Sequence, residues 1–215
     1  MAGRHRPPVW LPGADDRAAT RPLGFTFNFY GVDYTLVRFS DNGLITFANE
    51  STQESNVDLT TTALSPDLPA VAVLWDDWYR NPSVTGSGVY YATLGTVGDR
   101  RFILQWNRFD HAISSPDTVT FQAILYEATG SILCQYQDVV IENGDELYDY
   151  GKSATVGIRD TDGAASGRNL QWSYNQAVID NGTAIRFAPI PEPATAAGLM
   201  LGIGGLARYI RRRHP

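Results

Sequence analysis

Thr118-Val119-Thr120-Phe121-Gln122-Ala123-Ile124-Leu125-Tyr126-Glu127 alternates at period two, with Val119, Phe121, Ala123 and Leu125 on one side and Thr118, Thr120 and Gln122 on the other. Successive side chains of an extended chain point to opposite faces, so this stretch reads as a strand with one face buried. Ala128-Thr129-Gly130 then turns the chain into Ser131-Ile132-Leu133-Cys134-Gln135-Tyr136. Two such runs joined by a short turn containing glycine predict an antiparallel hairpin. Cys134 lies between Ile132 and Tyr136 on one face, which suits a small buried apolar residue rather than a nucleophile.

The same pattern extends outward in both directions. Upstream, Phe25, Phe27 and Phe29 alternate with Thr26 and Asn28, and Tyr34 to Phe39 follows a turn at Gly31. Asp41-Asn42-Gly43 is a tight-turn signal, because Asn and Gly accept positive φ; Leu44 to Phe47 returns from it, with Ser40 to Gly43 as the hairpin tip. Asn49 to Pro69 is polar and reads as a long surface loop. Val71-Ala72-Val73-Leu74-Trp75 is continuously apolar, as in a central strand covered on both faces. Val89 to Thr93 and Arg101 to Asn107 are further strands, with Phe102, Leu104 and Trp106 sharing a face. Downstream, Glu142 to Gly151 is an acidic loop, and strands are expected at 154–158, 170–174 and 183–187. About ten strands, no helical periodicity before residue 191 and no internal repeat predict an all-β fold, an antiparallel β-sandwich.

Charge and cysteine content narrow the function. The chain has 215 residues, 17 basic and 23 acidic. Without the four arginines and Glu192 of the tail, 13 basic and 22 acidic residues remain, a net charge near −9. Phosphate contacts need Lys and Arg, so an acidic body argues against nucleic acid as a partner. One cysteine, Cys134, excludes an intrachain disulfide, so apolar burial must hold the fold.

The C-terminus has a different composition. Pro191-Glu192-Pro193 precedes an uncharged run of fourteen residues, Ala194 to Ala207, and then Arg208 and Arg211-Arg212-Arg213. A bilayer-spanning helix needs about 20 residues, so the run is short. Counting on to Ile210 lengthens it, with Arg208 snorkelling to a headgroup. The arginines stand where the positive-inside rule puts a cytoplasmic flank. A buried helix of a soluble protein rarely closes on four arginines. These three parts, in this order, resemble the PEP-CTERM sorting signal of Gram-negative envelope proteins. The resemblance implies an exported protein, recognised at Pro191, Glu192 and Pro193 by an intramembrane exosortase, with a single-pass C-terminal membrane anchor that is processed or retained.

At the other end, Met1 to Arg21 holds no apolar stretch of the length a signal peptide needs. The expectation is that the natural start lies upstream, or that export uses another route, and that this segment is disordered. The organisation is therefore 1–19 disordered, 20–188 sandwich, and 189–215 sorting signal with a short transmembrane helix and basic tail.

The strand motifs carry a second resemblance. Phe25 to Gly31, Ser40 to Phe47, Val73-Leu74-Trp75-Asp76-Asp77, Gly88 to Tyr91, Phe102 to Asn107, Thr120 to Glu127 and Gly130 to Tyr136 follow in the order of a nidogen-type (NIDO-like) extracellular β domain. That resemblance implies an adhesion or matrix-associated module and supplies no catalytic residues.

Chemistry-bearing residues are few. His111 reads as a lone histidine in a polar loop next to Asp110, with no Gly-x-Ser-x-Gly elbow around any serine. Clustered Cys and His for a zinc site are absent from the sequence. Asp76-Asp77, flanked by Trp75 and Trp78, is the best local candidate. The two carboxylates could hold Ca²⁺ with backbone carbonyls, or act on a glycan. The favoured reading is that they terminate the strand, since adjacent strand residues point to opposite faces and do not readily share one ligand. Asp160-Thr161-Asp162-Gly163 looks like half a calcium loop without its distal glutamate, which favours a plain turn. Tyr90, Tyr91, Trp172 and Tyr174 include rings that could stack on exopolysaccharide if exposed. Three readings compete: a non-enzymatic, envelope-sorted interaction module for adhesion or surface polymer, a calcium- or glycan-binding lectin-like domain, and a glycan-acting enzyme using Asp76 or Asp77.

Overall fold

The computed structural model describes residues 15–62, 68–111, 117–141 and 146–190. Among them are twelve strands: β1 (Ala18–Phe29), β2 (Val32–Ser40), β3 (Leu44–Thr46), β4 (Ala70–Trp75), β5 (Trp78–Tyr79), β6 (Gly88–Leu94), β7 (Arg101–His111), β8 (Val119–Tyr126), β9 (Ile132–Asp138), β10 (Thr155–Arg159), β11 (Asn169–Tyr174) and β12 (Ala184–Phe187). One short helix, α1 (Gly163–Ser166), lies between β10 and β11. The strands form two antiparallel sheets, ordered β1-β2-β3-β4-β10-β11 and β12-β9-β8-β7-β5, with β6 pairing β7. The all-β sandwich expected from period-two alternation is the observed architecture.

The core lies between the sheets. In β1, Leu23, Phe25, Phe27 and Phe29 are buried and the residues between them exposed. They meet Phe102, Leu104, Trp106, Phe121, Ala123 and Cys134 in one apolar cluster. Burial pushes the Cys134 thiol up to about 12, as befits an apolar filler. Buried polar tips find main-chain partners: Trp106 Nε1 donates to Ser40 O at 2.8 Å and Tyr136 OH to Val73 O at 2.7 Å.

All six residues of β4 are buried, for two different reasons. Val71 and Val73 face the opposite sheet. Ala70, Ala72 and Trp75 belong with Leu44, Leu59 and Val57 to a second cluster on the other face. Residues 49–62 cover that face. Trp75 Nε1 donates to Gln53 O at 2.9 Å, Thr155 Oγ1 to Val57 O at 3.0 Å and Arg159 Nη1 to Thr62 O at 2.7 Å. The described part of the expected surface loop is thus a lid on the sheet, held by Leu59 and by strand side chains that satisfy its carbonyls.

The N-terminal boundary also moves. β1 starts at Ala18, and Arg17 N–H donates to both carboxylate oxygens of Asp41 at 2.9 and 3.1 Å. The last residues of the segment expected to be disordered are therefore part of the sheet, because Asp41 supplies the acceptors. Residues 1–14 and the expected C-terminal membrane helix lie outside the described residues. Among the described residues no helix is long and apolar enough to cross a membrane.

Candidate functional site

The Asp76-Asp77 doublet sits where β4 ends, and the buried tip of the β2–β3 hairpin sets its geometry. Ser40, Asp41 and Asn42 are almost fully enclosed. Asn42 O accepts from Asp76 N at 3.2 Å, and Asn42 Oδ1 accepts from Trp78 N at 3.1 Å. The Asn42 amide also donates to Asp16 Oδ1 at 2.9 Å and Thr52 O at 3.3 Å. Gly43 has φ +73, and a Cβ there would lie 2.4 Å from Leu74 O. Only glycine allows the tip to pack this tightly against β4.

The two carboxylates then diverge. Asp76 is buried; its Oδ2 accepts a short hydrogen bond from Ser153 Oγ, its Oδ1 accepts from Asp77 N at 2.9 Å and lies 3.4 Å from His111 Nε2. His111 is held between Trp78, edge-on at 5.1 Å, and Tyr148, stacked at 3.8 Å. Asp77 turns the other way, toward Asp15 and Asp16, and carboxylate oxygens of the three lie within 4.8 Å of one another. Burial and then Asp15 hold the Asp77 carboxyl above the usual range. Burial and then Asp16 do the same to Asp15. Glu54 is raised by its hydrogen bond and charge contact with Asp16. Both doublet residues line one polar cleft of ≈ 450 Å³, with Glu54, Asn56, His111, Tyr148 and Lys152 among the other walls.

His111 departs from the expected polar loop. It is the last residue of β7 and 2% exposed. The cause is β5, whose Trp78 and Tyr79 pair with His111 and Asp110 and draw them into the sheet. Asp76 stands between Ser153 and His111, so the serine contacts the acid and not the base. That order lacks the proton path of a Ser-His-Asp triad. Asp160 and Asp162 form a turn into α1, where Asp160 pairs with Arg168 at 2.9 Å. Asp15, Asp16 and Glu54 gave no signal in the sequence, since only folding brings them to Asp77. Pro191, Glu192, Pro193, Arg208 and Arg211 to Arg213 lie outside the described residues.

Two family models match the chain. One, described as NIDO related, covers residues 8–195. The other, described as the PEP-CTERM protein-sorting motif, covers residues 189–213. No curated protein and no solved structure matches it.

Proposed function

The chain belongs to the NIDO-related family and ends in a PEP-CTERM sorting motif, and from that premise we propose that it is a non-enzymatic surface module, delivered to the envelope by an exosortase, that binds surface polymer or matrix. The motif implies export and exosortase sorting; the family is an extracellular one and brings no catalytic residues. One observation carries the proposal: a sheet-built domain of the NIDO-related family runs directly into the sorting motif, with β12 ending at Phe187 and the motif's match starting at residue 189. The C-terminal segment serves as the membrane anchor until the exosortase acts. Mass spectrometry of protein recovered from envelope fractions tests this. A C-terminus near Pro193 in cells with the exosortase, and an intact Pro215 in cells without it, is the expected pair of results. An intact Pro215 in both would make the segment a plain anchor.

The convergence of Asp15, Asp16 and Asp77 favours a second reading, in which Ca²⁺ organises the cleft for a glycan. Three hard oxygen donors suit Ca²⁺, and a cation would offset the burial and, after it, the carboxylate repulsion that raise Asp77 and Asp15. Added Ca²⁺ should then raise the melting temperature of the native protein, and Asp77→Asn should abolish the rise. An unchanged melting temperature in the native protein sets this reading aside.

A further inference from the structure

The body leaves for its sorting segment at the end of the sandwich opposite the carboxylate cleft. Register fixes this: Thr155 pairs Trp75 beside the cleft, and Ile158 pairs Leu170 at the far end. Likewise Ala18 pairs Ser40 near the cleft, while Phe29 pairs Val32 at the far end. Between the sheets at that far end is a groove of ≈ 380 Å³, lined by Phe29, Tyr30, Ile132, Ile158, Leu170 and Phe187 together with Ile190. Its surroundings are apolar and open to solvent. Ile190 is 90% exposed and Leu170 57%, while Trp172, two residues along β11, is 56% exposed. An exposed apolar patch of this kind marks an interaction surface.

The leash to the apolar run is short. Ile190 lines the groove, and only Pro191-Glu192-Pro193 separates it from Ala194. Three residues reach at most about 10 Å whatever their conformation. A bilayer that takes up residues 194–207 must therefore lie against this end of the body. Trp172 and Tyr30 are the ring types that settle at a membrane–water interface. No basic patch is needed for the contact: Arg168 is paired with Asp160 at 2.9 Å, and Asp33, which accepts from Asn28 Nδ2 at 2.7 Å, keeps its negative charge, so the apolar rim carries the attraction.

We propose that the groove end of the sandwich is a membrane-docking face, which rests its apolar rim in the headgroup layer of a phospholipid bilayer and holds Pro191-Glu192-Pro193 at the depth where an intramembrane enzyme reaches it. This rests on the reading that the C-terminal segment enters the membrane before processing. The carboxylate cleft then points away from the lipid, free for a ligand.

Among the described residues Trp75, Trp78 and Trp106 are buried, so with Trp10→Phe in every sample, Trp172 is the reporter. The full chain is mixed with phosphatidylcholine vesicles whose acyl chains are brominated near the headgroup. Flotation reports insertion, and the emission lost relative to a Trp172→Phe variant reports where that ring sits. Expected is protein that floats, with most of the Trp172 emission quenched, and a Leu170→Glu variant that floats with less quenching. Protein that floats with Trp172 unquenched and open to aqueous iodide overturns the docking face but leaves membrane insertion standing. A Trp172 shielded from iodide yet blind to the lipid bromines means that the tail or a second copy fills the groove, and also overturns it. Protein that does not float overturns the insertion reading and the docking face together.

Discussion

Where β4 stops, the protein closes on itself with polar groups; where β12 stops, it stays open with apolar ones. At the first end Asn42 serves Asp76, Trp78, Asp16 and Thr52 at once, and Asp41 holds the start of β1. At the second, Phe29, Ile132, Ile158, Leu170 and Phe187 face a groove that the described chain leaves unfilled. A buried polar end tolerates little change, because each lost partner strands a desolvated group. The open apolar end tolerates change at its rim, because Leu170 and Ile190 are exposed, while Phe29, Ile132 and Phe187 beneath them belong to the core. The comparison therefore predicts that the cleft end governs stability and the groove end governs association.

The same substitution at the two ends gives the largest contrast. Gly43→Ala forces a Cβ to 2.4 Å from Leu74 O at φ +73, and should cost roughly 4 kcal/mol or prevent folding. Gly130→Ala, at φ +62 with its nearest neighbour Pro189 Cγ at 3.4 Å, should cost about 1 kcal/mol. Urea midpoints of the two variants decide it; equal costs would break the contrast. Next in size, Asp76→Ala removes the acceptor of Ser153 Oγ and Asp77 N, a loss of about 2 kcal/mol by the same measurement.

The sequence announced the sheets far better than it announced either end. Alternation in β1, β7 and β8 exposes the sheets directly, because a half-buried strand writes its burial into every second residue. The continuous run of β4 announced burial on both faces, yet not that residues 49–62 supply the second cover, since two apolar residues among polar ones, Val57 and Leu59, carry that packing. The doublet Asp76-Asp77 was visible as a candidate. Its partners Asp15, Asp16, Ser153 and His111 were not, because they come from three separate segments brought to the doublet only by folding. The groove was equally hidden: Leu170 and Ile158 look like ordinary core residues until β11 proves to be an edge strand.

The ends should also answer to acid with opposite signs. Burial raises the Asp41 carboxyl to about 7, above the unfolded value near 4. Its ionisation opposes folding above pH 7, and that cost vanishes as pH falls toward 4. Stability should therefore rise on mild acidification, by at most about 1.4 kcal/mol per pH unit for one group. Asp41→Asn keeps an acceptor for Arg17 N–H and should flatten the rise. Toward the groove end, Arg100 holds Glu127 down to about 2 through a 2.5 Å contact. That contribution is present above the unfolded carboxylate range and is lost as pH drops from about 4 to 2. Melting temperature should consequently peak in mildly acidic buffer. A curve that only falls from pH 8 downward would contradict the enclosed Asp41.

The smallest effect is the sharpest test of the division of labour. Leu170 is more than half exposed although its backbone pairs Ile158 in the sheet. Leu170→Ser removes a side chain that the folded body barely buries, so stability should change by less than about 0.5 kcal/mol. A buried leucine truncated in the same way would cost several times more. If the urea midpoint of Leu170→Ser falls as far as that of Asp76→Ala, the groove is part of the core rather than a surface kept for a partner. Near-silence in stability combined with weaker membrane docking would assign the residue to association alone.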